Sequence, residues 1–324
     1  MRSPFGAESL SDPGGVVVLT TSDDASLDAG VRDRLSSLPC IVVAVDRSAG
    51  DAPELADVAP EDGVASVEHI VRAVERNPVA ATTLVLCLRQ GPSTLGRALV
   101  AESAAYSVLQ AGAEFTQWRT NRPIRKSHPE TGAAVHLVRE GHRLDLVLNR
   151  PHVRNALDRA VRDGLLEGLA LAEADPSITG VVLRGVGPSF CSGGDLDEFG
   201  SFTDPAAAHL VRLTTSIGRS IDALGSRLIA VVHGSCAGSG VELPAFAARV
   251  VARPDFTATL PEVSLGLIPG AGGTASITRR VGRHRMALLA LSGARIDVTT
   301  ALRWGLVDEV HEGIDGPGEG GDPR

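Results

Sequence analysis

Two short stretches of small residues constrain this chain more than anything else in it. "PSFCSGGDLDEFG" (Pro188–Gly200) and "GSCAGSG" (Gly234–Gly240) each follow an apolar, β-branched run, "TGVVLRGV" and "RLIAVVH". Clustered Gly and Ser let a backbone bend sharply or approach another group closely. Such a turn, leaving a strand and opening a helix, presents backbone N–H groups that have no intrahelical acceptor. Two of them from neighbouring strands can aim two donors at one oxygen, the physical requirement of an oxyanion hole. The pair therefore asks for strands laid side by side with their C-terminal ends gathered together.

The second turn runs directly into Glu242 in "GVELPAFA", and Glu262 follows 20 positions later in "LPEVSLG". Val241, Leu243 and Phe246 surround the first carboxylate in sequence, and Leu260, Val263 and Leu265 the second. A carboxylate in apolar company costs free energy unless it is paired or neutral. Two of them on one pocket, with proton affinities pushed apart, make a general acid and a general base. Either alone also fits a helix-start charge or a satisfied buried hydrogen bond. The glycine loop "LIPGAGGT" closes the group.

The chain has 324 residues, 43% of them hydrophobic and 22% charged, with a net charge of −8. That suffices for one large core or two modest ones. No clustered basic face announces a nucleic-acid partner. Lys126 is the only lysine, so an anionic ligand falls to Arg, His or backbone N–H groups. Cys40, Cys87, Cys191 and Cys236 show neither C-x-x-C pairing nor metal spacing, so free thiols in a reducing compartment are expected, with no metal site and no cofactor. The early N-terminus has an acid and no apolar core, and no run approaches the ~20 residues of a membrane span. A cytoplasmic location is expected, with no membrane partner. "PGAGGT" lacks the lysine of a phosphate-binding P-loop, and no HExxH or G-x-S-x-G occurs.

Composition divides the chain at "TNRPIRKSHPETGA" (Thr120–Ala133). Residues 1–125 read as an N-terminal α/β extension, in which "GVVVLT", "PCIVVAVD" and "TTLVLCL" suggest strands of a parallel sheet. Residues 134–312 open on a hairpin around Glu140-Gly141, then alternate helices with short strands. One helix is expected over "PAAAHLVRLTTSIGRSIDALG". Residues 313–324, rich in Gly and Asp, read as a flexible tail. The fold class is α/β.

The segment from about Val135 to Val310 resembles the crotonase, or enoyl-CoA hydratase/isomerase, superfamily. "NRPHVRNALD", "SFCSGGDL", "HGSCAGSGVEL", "LPEVSLGLIPGAGGT" and "TALRWGLVDEV" occur in the family's order and spacing. The resemblance implies a spiral of ββα turns and an acyl-coenzyme A thioester substrate, with coenzyme A part of the substrate. It implies that Gly194 and Ser239 supply the oxyanion N–H groups. His152, Val153, Arg154, Ser192 and Gly193 match positions that bind the coenzyme A arm. Glu242 matches the carboxylate that activates water, and Glu262 the one that protonates the α-carbon. The expected reaction is therefore hydration of a 2-enoyl-CoA. Double-bond isomerisation and a non-catalytic binding subunit are the alternatives, and a trimer or hexamer is the expected assembly. Ser239 departs from the family's usual Gly. The family's C-terminal helices are expected to be absent, and "RALVAESAAYSVLQAGAEFTQWRTNR" resembles them, which implies that they are supplied from the other end of the chain.

Overall fold

The computed structural model describes residues 15–91, 94–123, 132–202 and 204–312. The first 14 residues, most of the expected linker and the Gly-rich tail lie outside the described residues.

In the N-terminal half, β1 (Gly15–Leu19) and β2 (Cys40–Ala44) pair in parallel, Gly15 opposite Cys40 and Leu19 opposite Ala44. Between them lie α1 (Thr21–Ser26), boxed by Thr20 and Asp23, and α2 (Ala29–Ser37), capped by Asp28. The third apolar run corrects the sequence reading. "TTLVLCL" is not a strand but the end of α4 (Pro78–Leu88), which follows α3 (Val67–Arg76). Pro78 sits in the first turn, where its missing N–H costs nothing. Ala80, Ala81, Leu84, Val85 and Leu88 are all buried. A helix covered on most sides loses the polar stripe that would betray its period, so a short apolar run reads equally as a strand. Arg89 then ties α4 to the ribbon, pairing with Asp57 at 2.6 Å and donating to the carbonyls of Leu38 and Cys40.

Two further helices, α5 (Leu95–Gln110) and α6 (Ala113–Asn121), complete this half. Glu114 of α6 accepts from the N–H groups of Val79 and Ala80 at 2.8 and 3.0 Å, capping α4. Both helices dock on the second half. Leu84, Leu99 and Phe115 belong to the same hydrophobic core as Leu146, Leu183 and Leu289. Each such side chain contributes roughly 1.5–3 kcal/mol on burial, so this is a fixed junction.

The second half opens on β3 (Val135–Glu140) and β4 (Arg143–Leu148), antiparallel across Gly141. Next come α7 (Arg159–Ala174), capped by Asp158, and β5 (Gly180–Gly185). The helix expected over 205–225 is two, α8 (Pro205–Thr214) and α9 (Ile217–Leu224). Thr214 and Thr215 turn their hydroxyls onto the carbonyl of Val211, and Ser216 caps the new helix at Arg219 N–H. Side chains that compete for backbone in this way end helices. Then follow β6 (Leu228–Val232), β7 (Ser235–Ala237), α10 (Ser239–Glu242), β8 (Arg249–Ala252) and β9 (Thr257–Thr259). The remaining elements are α11 (Gly273–Val281), α12 (Arg283–Ser292), β10 (Ile296–Asp297), α13 (Val298–Trp304) and β11 (Glu309–Val310).

The strands of the second half form two sheets. The six-stranded sheet runs β11-β8-β6-β5-β4-β3, parallel except at the opening hairpin, and the three-stranded sheet runs β10-β9-β7. Each long strand of the first sheet hands the chain to a short strand or loop before the next helix, the ββα spiral that the resemblance implies. Its consequence for the site is direct: β5 and β6 are neighbours, and both small-residue turns leave their C-terminal ends.

Candidate active site

The first turn is stitched to the segment after β4. Ser192 N–H donates to Arg154 O at 2.9 Å, Leu157 N–H to Gly193 O at 2.8 Å, and Asp195 N–H to Leu157 O at 2.9 Å. Gly193 stands at φ +97°, where a Cβ would meet Ala237 O of the second turn at 2.9 Å. Only glycine allows the two turns to lie this close. The second turn pivots on Gly238, at φ +48°, whose N–H donates to Thr259 O at 3.1 Å. Ser239 then begins α10.

These constraints leave the N–H groups of Gly194 and Ser239 without an acceptor among the described residues. Both residues line one cavity of about 290 Å³, and Glu242 and Glu262 line it too. Its apolar wall includes Tyr106, Leu157, Phe199 and Val211. All four residues expected to do chemistry therefore meet in one place.

The two carboxylates are held differently. Glu242 closes α10 and is buried; its Oε2 accepts from Ala271 N–H at 2.8 Å and Gly273 N–H at 2.9 Å. Glu262 opens a 3₁₀ turn after β9, and its buried Oε2 has no partner among the described residues. Burial raises the proton affinity of both. Glu262 is pushed up to about 7; Glu242 is raised as well, by burial first and then by the charges of Glu262 and Glu102, and is drawn back by the Ala271 and Gly273 donors. Two N–H donors favour charge on Glu242, whereas no described residue donates to Glu262 Oε2. This difference in hydrogen bonding favours a shared proton on Glu262 over Glu242.

The residues matched to the coenzyme A arm form a turn beside the cavity rather than its wall. Pro151–Val153 is a single 3₁₀ turn, and Arg154 and Asn155 follow at φ 55° and 54°. Such left-handed residues need support. The buried Asn155 side chain accepts from Arg150 N–H at 2.7 Å and donates to Val186 O and Ser189 O, locking the turn to the exit of β5. Ser192 Oγ donates to Val153 O at 3.3 Å, so His152, Val153, Arg154, Ser192 and Gly193 are contiguous, with His152 and Arg154 exposed.

The sequence reading misses the residues that α5 of the first half and α8 of the second bring to the cavity. Tyr106 and Gln110 of α5 line the cavity, as does Arg212 of α8. The Arg212 guanidinium lies over the Tyr106 ring, 4.7 Å from its centroid, and donates to Ser103 Oγ at 3.1 Å. Glu102 of α5, 2% exposed, reaches the glycine loop: its Oε1 accepts from Gly272 N–H at 2.7 Å, and its Oε2 from Thr274 N–H at 2.8 Å and Thr274 Oγ at 2.6 Å. Its place in sequence carried a signal. An acid three residues after Leu99 and four before Tyr106 lies on the buried stripe of the helix. No helix among the described residues is long and apolar enough to cross a membrane.

A family model described as enoyl-CoA hydratase/isomerase matches residues 144–313. The 2,3-dehydroadipyl-CoA hydratase of Escherichia coli K12 is 38% identical over 165 residues, which span 51% of this chain and 64% of that protein. The mitochondrial enoyl-CoA hydratase of Pongo abelii is 33% identical over 165 residues, 50% of this chain and 56% of that protein. Among solved structures, an enoyl-CoA hydratase from Thermoplasma volcanium superposes with a TM-score of 0.52 at 32% identity, covering 56% of this chain and 73% of that one. DspI of Pseudomonas aeruginosa gives 0.52 at 28% identity, covering 58% and 77%. With the family model matched across half the chain and these solved structures superposing at 28% and 32% identity, the chain belongs to the enoyl-CoA hydratase/isomerase family of the crotonase superfamily.

Proposed function

We propose that the protein hydrates a 2-enoyl-CoA thioester to the 3-hydroxyacyl-CoA. The observation that carries this reading is the meeting, in one cavity, of two unspent N–H donors and two buried glutamates of unequal surroundings. The thioester oxygen sits between Gly194 N–H and Ser239 N–H, which stabilise the negative charge it gains. Water adds to C3 as Glu242 takes its proton, the C2–C3 π bond collapses toward the carbonyl to form the enolate, and C2 then takes a proton from Glu262. Proton return between the carboxylates resets the site. The exposed turn at His152–Arg154 takes the coenzyme A arm. The reading is tested by following loss of the enoyl-thioester absorbance with crotonyl-CoA, longer enoyl-CoAs and an aromatic enoyl-CoA. Turnover of a 3-enoyl-CoA without hydration of any 2-enoyl-CoA would replace it with an isomerase.

The shared proton dictates the pH profile. The rate requires Glu262 protonated and Glu242 ionised, so kcat is expected to fall on the alkaline side above about 7, where Glu262 loses its proton. It also falls on the acid side, where a second proton neutralises Glu242. A kcat that stays flat from pH 5 to pH 9 would contradict the assignment.

The assembly is also part of the proposal. A trimer, or a pair of trimers, is expected from light scattering, at three or six times the 33.5 kDa chain. A strict monomer would mean that the helices of the N-terminal half do not build the family's interface.

A further inference from the structure

We propose that Glu102, from a helix that precedes the family domain in sequence, is a positioning residue for Glu242: it holds the Ala271–Thr274 loop whose backbone aims that carboxylate. The inference rests on the hydratase reading for its kinetics and on geometry for its substance.

The geometry is an interleaved ladder. Ala271 N–H donates to Glu242, Gly272 N–H to Glu102, Gly273 N–H to Glu242 and Thr274 N–H to Glu102. Successive N–H groups of one tight loop thus alternate between two carboxylates that lie 140 positions apart in sequence. Neither glutamate can shift without moving the donors of the other. Glu242 is fixed in addition by Ser276 Oγ, which donates to its backbone carbonyl at 2.8 Å. Gly273 has no room for a side chain, since a Cβ there would meet Glu242 Cγ at 2.6 Å. Without Glu102, two buried N–H groups and the Thr274 hydroxyl lose their acceptor. A loop with orphaned donors moves to satisfy them, because a buried donor left unpaired forfeits its hydration with nothing in return.

Glu102 also brings charge. It faces Arg212 from α8, Tyr106 from its own helix, Cys87 from α4, Glu242 from α10 and Glu262 from the 3₁₀ turn. His209 of α8 approaches the same place through Ser103 Oγ, at 2.9 Å. Burial pushes Glu102 itself up to about 7, with the Thr274 and Gly272 donors and Arg212 drawing it back toward ionisation; once ionised, it raises the proton affinity of Glu242 and Glu262. Removing the charge that Glu102 carries above about 7 therefore lowers the affinity of Glu262 there, and the alkaline limb of the pH profile moves to lower pH. A purely structural strut would change the amount of folded enzyme and leave the limbs where they are.

The test is Glu102→Gln in the full chain, alone and combined with Glu242→Gln. Alone, it is expected to lower kcat by about 10- to 100-fold, with acyl-CoA affinity changed less than about threefold and the alkaline pH limb displaced downward. On the Glu242→Gln background it is expected to add less than about threefold, because it acts through Glu242. A multiplicative loss with unmoved limbs overturns the proposal. If Glu102→Gln does not fold, Thr274→Val removes only the hydroxyl donor and is expected to move the profile in the same direction by a smaller amount, since it leaves Glu102 less stabilised as an anion and therefore less negative beside Glu242 and Glu262; the decisive readout then remains non-additivity with Glu242→Gln. An infrared pH titration of the buried carboxyl band needs no substrate, so it tests the proposal even if no enoyl-CoA is hydrated: Glu102→Gln must shift the remaining carboxyl midpoints downward, and unmoved midpoints overturn it.

Discussion

Glu262→Gln and Glu242→Gln are each expected to lower kcat for hydration by about 10² or more, the scale of a lost general acid or base. Each keeps the size of the side chain and removes its proton transfer. Acyl-CoA binding should change far less, because the thioester oxygen is held by Gly194 and Ser239 N–H groups that neither substitution touches. The double variant should be little slower than the poorer single one, since the carboxylates act as a unit. Stability gives an independent check. Burial holds the Glu262 proton to about 7 in the folded protein against an ordinary 4.5. A carboxyl raised by folding favours the folded state below its unfolded pKa, and that advantage is lost as pH climbs to the folded value. Glu262→Gln has no proton to lose, so its melting temperature should exceed that of the wild type at pH 8 and converge with it near pH 4.5. Slower hydration with no such gain would mean that the substitution had damaged the fold rather than the chemistry. Full activity in both single variants would make the carboxylates structural and end the hydratase reading.

How much of this was legible in the sequence depended on distance along the chain. The β3–β4 hairpin could be read from alternation around Glu140-Gly141, and α7 from its periodic apolar face, because both signals are local. The two turns and two glutamates could be read as a set because their spacing is fixed within one family. The run "TTLVLCL" misled because burial on most sides of α4 erased its period. The break between α8 and α9 was hidden because Thr and Ser neither forbid nor demand a helix until their hydroxyls choose backbone partners. Glu102 was least visible. Its partners, Gly272 and Thr274, lie 170 and 172 positions away, and no local pattern encodes a contact of that range. Only an acid on the buried stripe of α5 marked the place.

Gly238→Ala is expected to be as damaging as loss of either carboxylate, for a different reason. Gly238 stands at φ +48°, ψ −120°, a conformation that L side chains rarely adopt. Forcing alanine into it costs of order 1–3 kcal/mol. The new methyl would also press on Glu262 Oε1, the flexible end of the proposed acid. Relief is available only by moving the carboxyl or by turning the peptide that carries Ser239 N–H. The first misplaces the proton donor, and the second removes an oxyanion donor worth about 10²–10³ in rate. Thermal unfolding should occur roughly 2–5 °C lower, at about 1.5 °C for each kcal/mol in a chain of 324 residues. Gly305→Ala separates strain from chemistry. Gly305 ends α13 at φ +79°, and the nearest atom to its missing Cβ is Arg280 O at 3.5 Å, with no contact to the cavity. It should lower the melting temperature and leave kcat within about twofold of wild type. Equal kinetic losses in the two variants would trace the effect to general destabilisation. Full activity in Gly238→Ala would show that neither the second turn nor the placement of Glu262 governs the reaction.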